Sequence, residues 1–209
     1  FLTRLINHRP LWLVIIATLT ILSVGAAWLA LNAWSALYVF LGAFFYAVVY
    51  TVWLKRRTWL NIVFGGLAGS WAVLAGATAA EPQVGAVPLA LAFVLFLWTP
   101  PHFWSLAIAC KDDYAAAGVP MLPVVVGNEK AAWTIFYSTV ALVAASFLPL
   151  FFGLGWIYFA GASTGGALFL QKSWQLTRNP GRQAALGSFH ASLIQLTLVL
   201  LGAIIDAQF

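Results

Sequence analysis

Five carboxylates serve this 209-residue chain, Glu81, Asp112, Asp113, Glu129 and Asp206, so any acid, base or metal chemistry draws on a short set. Asp112 and Asp113 are the one adjacent pair. Oxygen ligands of this kind suit Mg²⁺, which takes one or two carboxylates and completes its shell with substrate phosphates and water. Flanked by Lys111, the same pair also reads as a solvated loop feature. A second cluster, Lys55-Arg56-Arg57, sets three cations in one short loop. Arginine presents a planar fork and lysine a point charge, a combination fit for a diphosphate or a propionate; equally, such loops hold a membrane protein in place. The third candidate is His102, directly after Pro100-Pro101 in an apolar run. Ionisable groups at membrane depth are functional candidates by default, and the competing role is an interhelical hydrogen bond. His190 reads as structural. A single cysteine, Cys110, excludes an internal disulfide, a cysteine-built zinc site and an iron–sulfur cluster.

The elements that must position these groups are membrane helices. With 63% apolar and 7% charged residues, against about 25% charged in soluble domains, a water-soluble fold is excluded. Spans of about 20 apolar residues are expected at 11–30, 34–53, 60–79, 87–109, 131–152, 155–171 and 189–207, the sixth being short and rich in Gly and Ser. Alternating sides through these seven spans puts all ten basic residues, Arg4, Arg9, Lys55, Arg56, Arg57, Lys111, Lys130, Lys172, Arg178 and Arg182, on one face. Cytoplasmic loops collect such residues, so the N-terminus is expected inside and Glu81 and Asp206 outside. Trp12, Trp28, Trp34, Trp53, Trp59, Trp133, Trp156 and Trp174 lie near span ends, as interfacial anchors do. The small residues of 65–69 and 161–165 suit close helix packing.

Two prolines should disturb the fourth span, a break tolerated in a membrane where backbone lines a cavity. If the chain is helical from His102 onward, then His102, Leu106, Ala109 and Asp113 share a face, with Asp113 about 16 Å further toward the cytoplasm. One pocket wall would then carry an imidazole below and carboxylates above.

The stretches YTVWLKRRTWLNIVFGGLAG (residues 50–69) and LWTPPHFWSLAIACKDDYAAAGVPMLPVVVG (residues 97–127) resemble the protoheme IX farnesyltransferases, or haem O synthases, of the intramembrane prenyltransferase superfamily. The resemblance implies an all-α, polytopic transmembrane bundle around a pocket open to the cytoplasm. It also implies transfer of a farnesyl group from farnesyl diphosphate to the 2-vinyl group of haem B, giving haem O for haem A and terminal oxidase biogenesis. On this chain it makes Asp112 and Asp113 the catalytic, Mg²⁺-holding acids. Lys55, Arg56 and Arg57 would bind diphosphate or propionates, Lys111, Asn61 and Tyr114 would complete the substrate site, and His102 would contact the haem. Expected partners are the lipid bilayer of a bacterial or archaeal cell and haem A synthase, with no nucleic acid. Members have nine spans and a first acidic motif, N-D-x-x-D, before the third. The seven spans here correspond to the last seven, so residues 1–209 are expected to be one prenyltransferase domain that is N-terminally incomplete, beginning at Phe1 without that motif. Many superfamily members also carry an acid four residues after the first of the second motif, where this chain has Ala116, and 69–76 lacks the proline common in the family. Other readings are a prenyltransferase for a quinone or chlorophyll-type acceptor and a non-catalytic haem-binding fragment. A transporter would place ionisable groups near the midplane of several spans, and the spans here lack Lys, Arg, Asp and Glu across their centres.

Overall fold

A computed structural model describes residues 9–208. Arg4 and the side chain of Arg9, counted above among the basic residues, lie outside what is described. The chain is all-α, with nine α-helices among the described residues: α1 (Arg9–Ala30), α2 (Ala33–Phe44), α3 (Asn61–Ala80), α4 (Ala86–Ala109), α5 (Lys111–Ala116), α6 (Leu122–Val126), α7 (Asn128–Ala145), α8 (Trp156–Arg178) and α9 (Arg182–Asp206). A π-helix, Phe45–Leu54, prolongs α2, and a 3₁₀ turn, Leu148–Phe152, prolongs α7.

Six segments are long and apolar enough to cross a membrane: Leu11–Ala30, Ala33–Leu54, Asn61–Ala80, Ala86–Ala109, Asn128–Phe152 and Arg182–Asp206. The remaining expected span, the sixth at 155–171, is helix α8, and it differs from the other six. Its 23 residues reach about 35 Å at 1.5 Å per residue, enough for a bilayer core of about 30 Å. Its composition is less apolar, because small residues on α8 are used to meet α9 backbone to backbone. A Cβ on Gly161 would stand 2.6 Å from the Leu198 carbonyl oxygen, and one on Gly165 2.8 Å from the Gln195 Cα. Dispersion contacts at that range bind helices where no hydrophobic force acts between them.

Helix α4 is the hub, packing against α3, α7 and α9, while α1, α2 and α3 follow one another along one flank. The core forms three layers up the bundle. At one end Ile62, Trp104, Ile135, Leu176 and Ala185 pack together; Val94, Trp98, Leu142 and Phe169 fill the middle; Tyr158, Ala162 and Val199 fill the far end. Lys55, Arg56, Arg57, Lys111, Lys130, Arg178 and Arg182 all lie in or beside the chain segments that bound the first layer. At the opposite end Asn32 caps α2 through the Ser35 amide at 2.9 Å and donates to the Thr78 carbonyl at 2.6 Å, and the Gly155 amide that opens α8 donates to the Asp206 carboxylate.

The expected break at Pro100-Pro101 is not there: α4 is helical through both prolines. The two prolines cost the helix two N–H donors, and tertiary contacts tie the segment to α9 on both sides of them. The Trp98 indole donates to the Ser192 carbonyl at 2.8 Å, and His102 Nδ1 meets the Ser192 hydroxyl at 2.7 Å. A single residue of α9 thus grips α4 above and below its weak point. The actual interruption comes later, at Cys110, whose φ of −117° and ψ of 31° fall off helical values. The register of His102 therefore does not run on to Asp113, and the expected wall with imidazole below and carboxylates above does not form as one helical face.

Candidate active site

The basic loop is built by the helices on either side of it. The π-helix ends with the Lys55 amide bonded to the Tyr50 carbonyl at 2.8 Å, and the Arg57 amide closes a turn onto Leu54 at 2.9 Å. Asn61, wholly buried at the start of α3, donates its Nδ2 to the Lys55 carbonyl at 3.2 Å. Its role is thus to hold the cationic loop from below, while its Oδ1 has no partner. Lys55 is half-buried, with its ammonium 5.8 Å from the centre of the Tyr50 ring; Arg56 and Arg57 are exposed.

The acidic segment is positioned by the chain reversal after α4. Helix α5 restarts at Lys111 and carries Asp112 and Asp113 in its first turn, both exposed, where carboxylates complement the unpaired N–H groups of a helix start. Gly118, at φ +64°, ends the segment in a conformation costly for other residues, and the Val119 amide returns to the Tyr114 carbonyl at 3.0 Å. Tyr114 is half-buried. Burial first, and Cys110 second, push its phenol above the ordinary range, so it stands ready as a neutral donor.

Each of the two segments sends an aromatic residue, Trp59 from the basic one and Tyr114 from the acidic one, to the same core layer. Tyr50, Trp59 and Tyr114 all pack against Ile62, Trp104 and their neighbours, and Trp59 and Trp104 face each other at 5.9 Å. Beside this layer Tyr46, Tyr50, Ile62, Gly65, Thr99 and Phe103 enclose a cavity of about 120 Å³. A Cβ on Gly65 would lie 2.9 Å from the Tyr50 ring, so glycine there is what lets the ring seat against α3. Sequence reasoning missed this cavity, although Tyr46 with Tyr50 and Thr99 with Phe103 each stand four residues apart, the spacing of one helical face. It also missed Trp104, whose indole N–H is buried without a partner.

His102 faces elsewhere. Its ring lies between Trp98, at 4.0 Å, and Phe189, at 4.5 Å, both nearly parallel to it, and edge-on to Phe103 at 5.0 Å. With Nδ1 on Ser192, it clamps α4 to α9 by the interhelical bond named above as its competing role, and Nε2 is the polar edge left for a ligand. His190 is exposed on α9. The buried polar residues are Ser, Thr, Asn, Gln and His, with no Lys, Arg, Asp or Glu among those described.

Residues 3–198 match the UbiA prenyltransferase family. The chain belongs to that family. Among curated relatives it is 59% identical over 206 residues to protoheme IX farnesyltransferase 2 of Paramagnetospirillum magneticum, covering 99% of this chain and 72% of that protein. It is 51% identical over 181 residues to protoheme IX farnesyltransferase 1 of the same organism, covering 86% of this chain and 64% of that one. It is 41% identical over 189 residues to protoheme IX farnesyltransferase of Chloroflexus aurantiacus, covering 90% and 32%. No solved structure matches the chain. Family membership makes it an intramembrane prenyltransferase by descent, and the helices of the bundle make it an integral membrane protein.

For a divalent cation the candidate donors are Asp112 and Asp113; no group of three or more His, Cys, Asp or Glu gathers among the described residues. Two exposed carboxylates fit Mg²⁺, whose remaining positions water and substrate phosphates fill, and fit poorly the closed cages of structural zinc.

Proposed function

We propose that this protein transfers the farnesyl group of farnesyl diphosphate to the vinyl group of protoheme IX, giving haem O for haem A and terminal oxidase biogenesis. The observation that carries the proposal is that Trp59, from the basic segment, and Tyr114, from the acidic one, pack on one core layer, in a family member whose relatives are named for that reaction. Asp112 and Asp113 hold Mg²⁺, which when bound neutralises charge on the leaving diphosphate. Lys55, Arg56 and Arg57 bind diphosphate or propionate oxygens, Lys111 adds a charge beside the acids, and the Tyr114 phenol donates a hydrogen bond. Because these charges are in place before reaction, they stabilise the diphosphate as it forms without reorganising. The aromatic cavity of Tyr46, Tyr50 and Phe103 suits an allylic cation, whose charge ring faces attract. In the reaction the C–O bond to diphosphate breaks and the farnesyl C1 bonds to the terminal vinyl carbon. Water takes the cation left beside the pyrrole and loses a proton, giving a hydroxyethylfarnesyl group. His102 contacts the haem through its Nε2 edge.

The chain acts as one transmembrane prenyltransferase domain in a bacterial or archaeal cell membrane, its basic face cytoplasmic, and hands its product to haem A synthase. Expression of the complete protein in cells lacking a haem O synthase, followed by mass analysis of extracted haems, tests the reaction. Haem O is expected; well-expressed protein yielding no farnesylated haem refutes it, and a prenylated quinone instead would move the activity to another acceptor.

A further inference from the structure

The cytoplasmic ends of α8 and α9 carry cations that the proposed reaction does not use. Lys172, Gln175, Arg178, Asn179 and Gln183 line a crevice of about 590 Å³ there. No Asp or Glu occurs between residues 130 and 205, and Asp206, the acid at the end of α9, is hydrogen-bonded to Gly155 at the opposite end of the bundle, so neither helix supplies a counter-ion at the crevice. Glu129, at the start of α7, lines a separate hollow with Lys111, Lys130 and Pro180. Both cations that face the crevice have a contact of their own. The Arg178 guanidinium lies over the Trp174 ring at 4.7 Å, which orients its fork, and the Lys172 ammonium donates to Gln175 Oε1 at 3.1 Å. The stem of Lys172 reaches toward α9, where a Cβ on Gly187 would meet its Cδ at 3.9 Å.

An independent observation sets the depth of this crevice in the membrane. Trp174 packs edge-on to Trp133 at 5.8 Å and against Phe136 at 5.3 Å, and Trp133 stacks on Tyr137 at 5.8 Å. Trp133, Tyr137 and Trp174 are exposed on the outside of the bundle, as aromatic rings at headgroup level are. The unpaired cations therefore sit beside the lipid phosphates, and basic pockets between helices on that side are suited to anionic headgroups.

We propose that this crevice is a phosphate site, in which Arg178 and Lys172 hold two oxygens of a phosphate group and the amides of Gln183 and Asn179 donate to the others. The phosphate has two sources, the headgroup of an anionic lipid and a soluble phosphate. The site is independent of the prenyl-transfer activity, and its test does not read turnover. The complete protein is placed in phosphatidylcholine nanodiscs, with and without phosphatidylglycerol. Retained phosphatidylglycerol is counted by native mass spectrometry, and in the discs without it inorganic phosphate is titrated against thermal unfolding. Retention of phosphatidylglycerol assigns the lipid; stabilisation by millimolar phosphate assigns the soluble anion. In either case Lys172→Gln with Arg178→Gln should weaken binding about 25-fold, each surface cation contributing roughly a fivefold factor. Arg178→Lys, which keeps the charge and hence the topology, should weaken it about threefold through loss of the fork. Lys130→Gln, outside the crevice, should leave binding unchanged. Binding of neither source, binding indifferent to the Lys172 and Arg178 changes, or an equal loss in Lys130→Gln would overturn the proposal.

Discussion

At the scale of single residues, the proposed chemistry is divided between exposed charges and buried supports, and substitutions should separate the two. Asp112→Asn or Asp113→Asn removes a formal charge from an exposed turn, so folding should be untouched while haem O formation falls by at least about 100-fold, the scale of one lost electrostatic stabiliser. Product analysis beside a thermal unfolding curve checks both halves, and an unchanged rate returns the pair to a solvated loop. His102 should behave in the opposite way. His102→Phe keeps the ring between Trp98 and Phe189 but loses the bond to Ser192, and interhelical hydrogen bonds in membranes average about 0.6 kcal/mol, with some near 2. A modest loss of stability is expected, measured by thermal unfolding in detergent. Haem affinity measured on the same variant reports on the Nε2 edge, and normal binding with normal turnover would remove His102 from the site.

At the scale of elements, the bundle depends on close approach where glycine allows it. Gly161→Val would drive a side chain into the Leu198 carbonyl, which α9 cannot move without parting from α8. Overpacking of this sort costs about 1–3 kcal/mol. Gly76→Ala, on α3 with nothing within 4 Å of its Cβ, should instead stabilise by roughly 0.5–1 kcal/mol, since alanine is the better helix former. Unfolding midpoints of the pair test whether packing or helix propensity governs, and a neutral Gly161→Val would remove the backbone-contact account of α8. In α4, local propensity argues for a break at two prolines, yet the helix continues through them, as membrane helices tolerate proline where neighbouring groups satisfy the backbone.

At the scale of the whole molecule, the basic residues bound one core layer and the Asp206–Gly155 contact lies at the other end. From that asymmetry and the bias of cytoplasmic loops toward Lys and Arg we propose that the basic end is cytoplasmic. With Cys110 first replaced by Ser, cysteines placed singly at Arg57, Arg178 and Gln83 should label from opposite sides with a membrane-impermeant maleimide: Arg57→Cys and Arg178→Cys from the cytoplasm, Gln83→Cys from outside. Labelling of all three from one side would refute the topology.

What the amino-acid order by itself determined is what depends on sums and spacing. Apolar length set the position of six of the long helices, the ten cations suggested how they alternate across a membrane, and the two motifs marked Lys55–Asn61 and Asp112–Tyr114 as the proposed site. Each of these is local, so each is legible without coordinates. Tertiary structure decided what depends on which partner a side chain meets. It turned His102 toward α9 and moved the interruption from the prolines to Cys110. It gave α8 its place through backbone contact despite a weaker apolar signal, and it brought Tyr46 and Tyr50 across to Thr99 and Phe103 to enclose a cavity. Helical periodicity names the face a residue occupies; the neighbour that covers that face is chosen by packing of segments far apart in the chain.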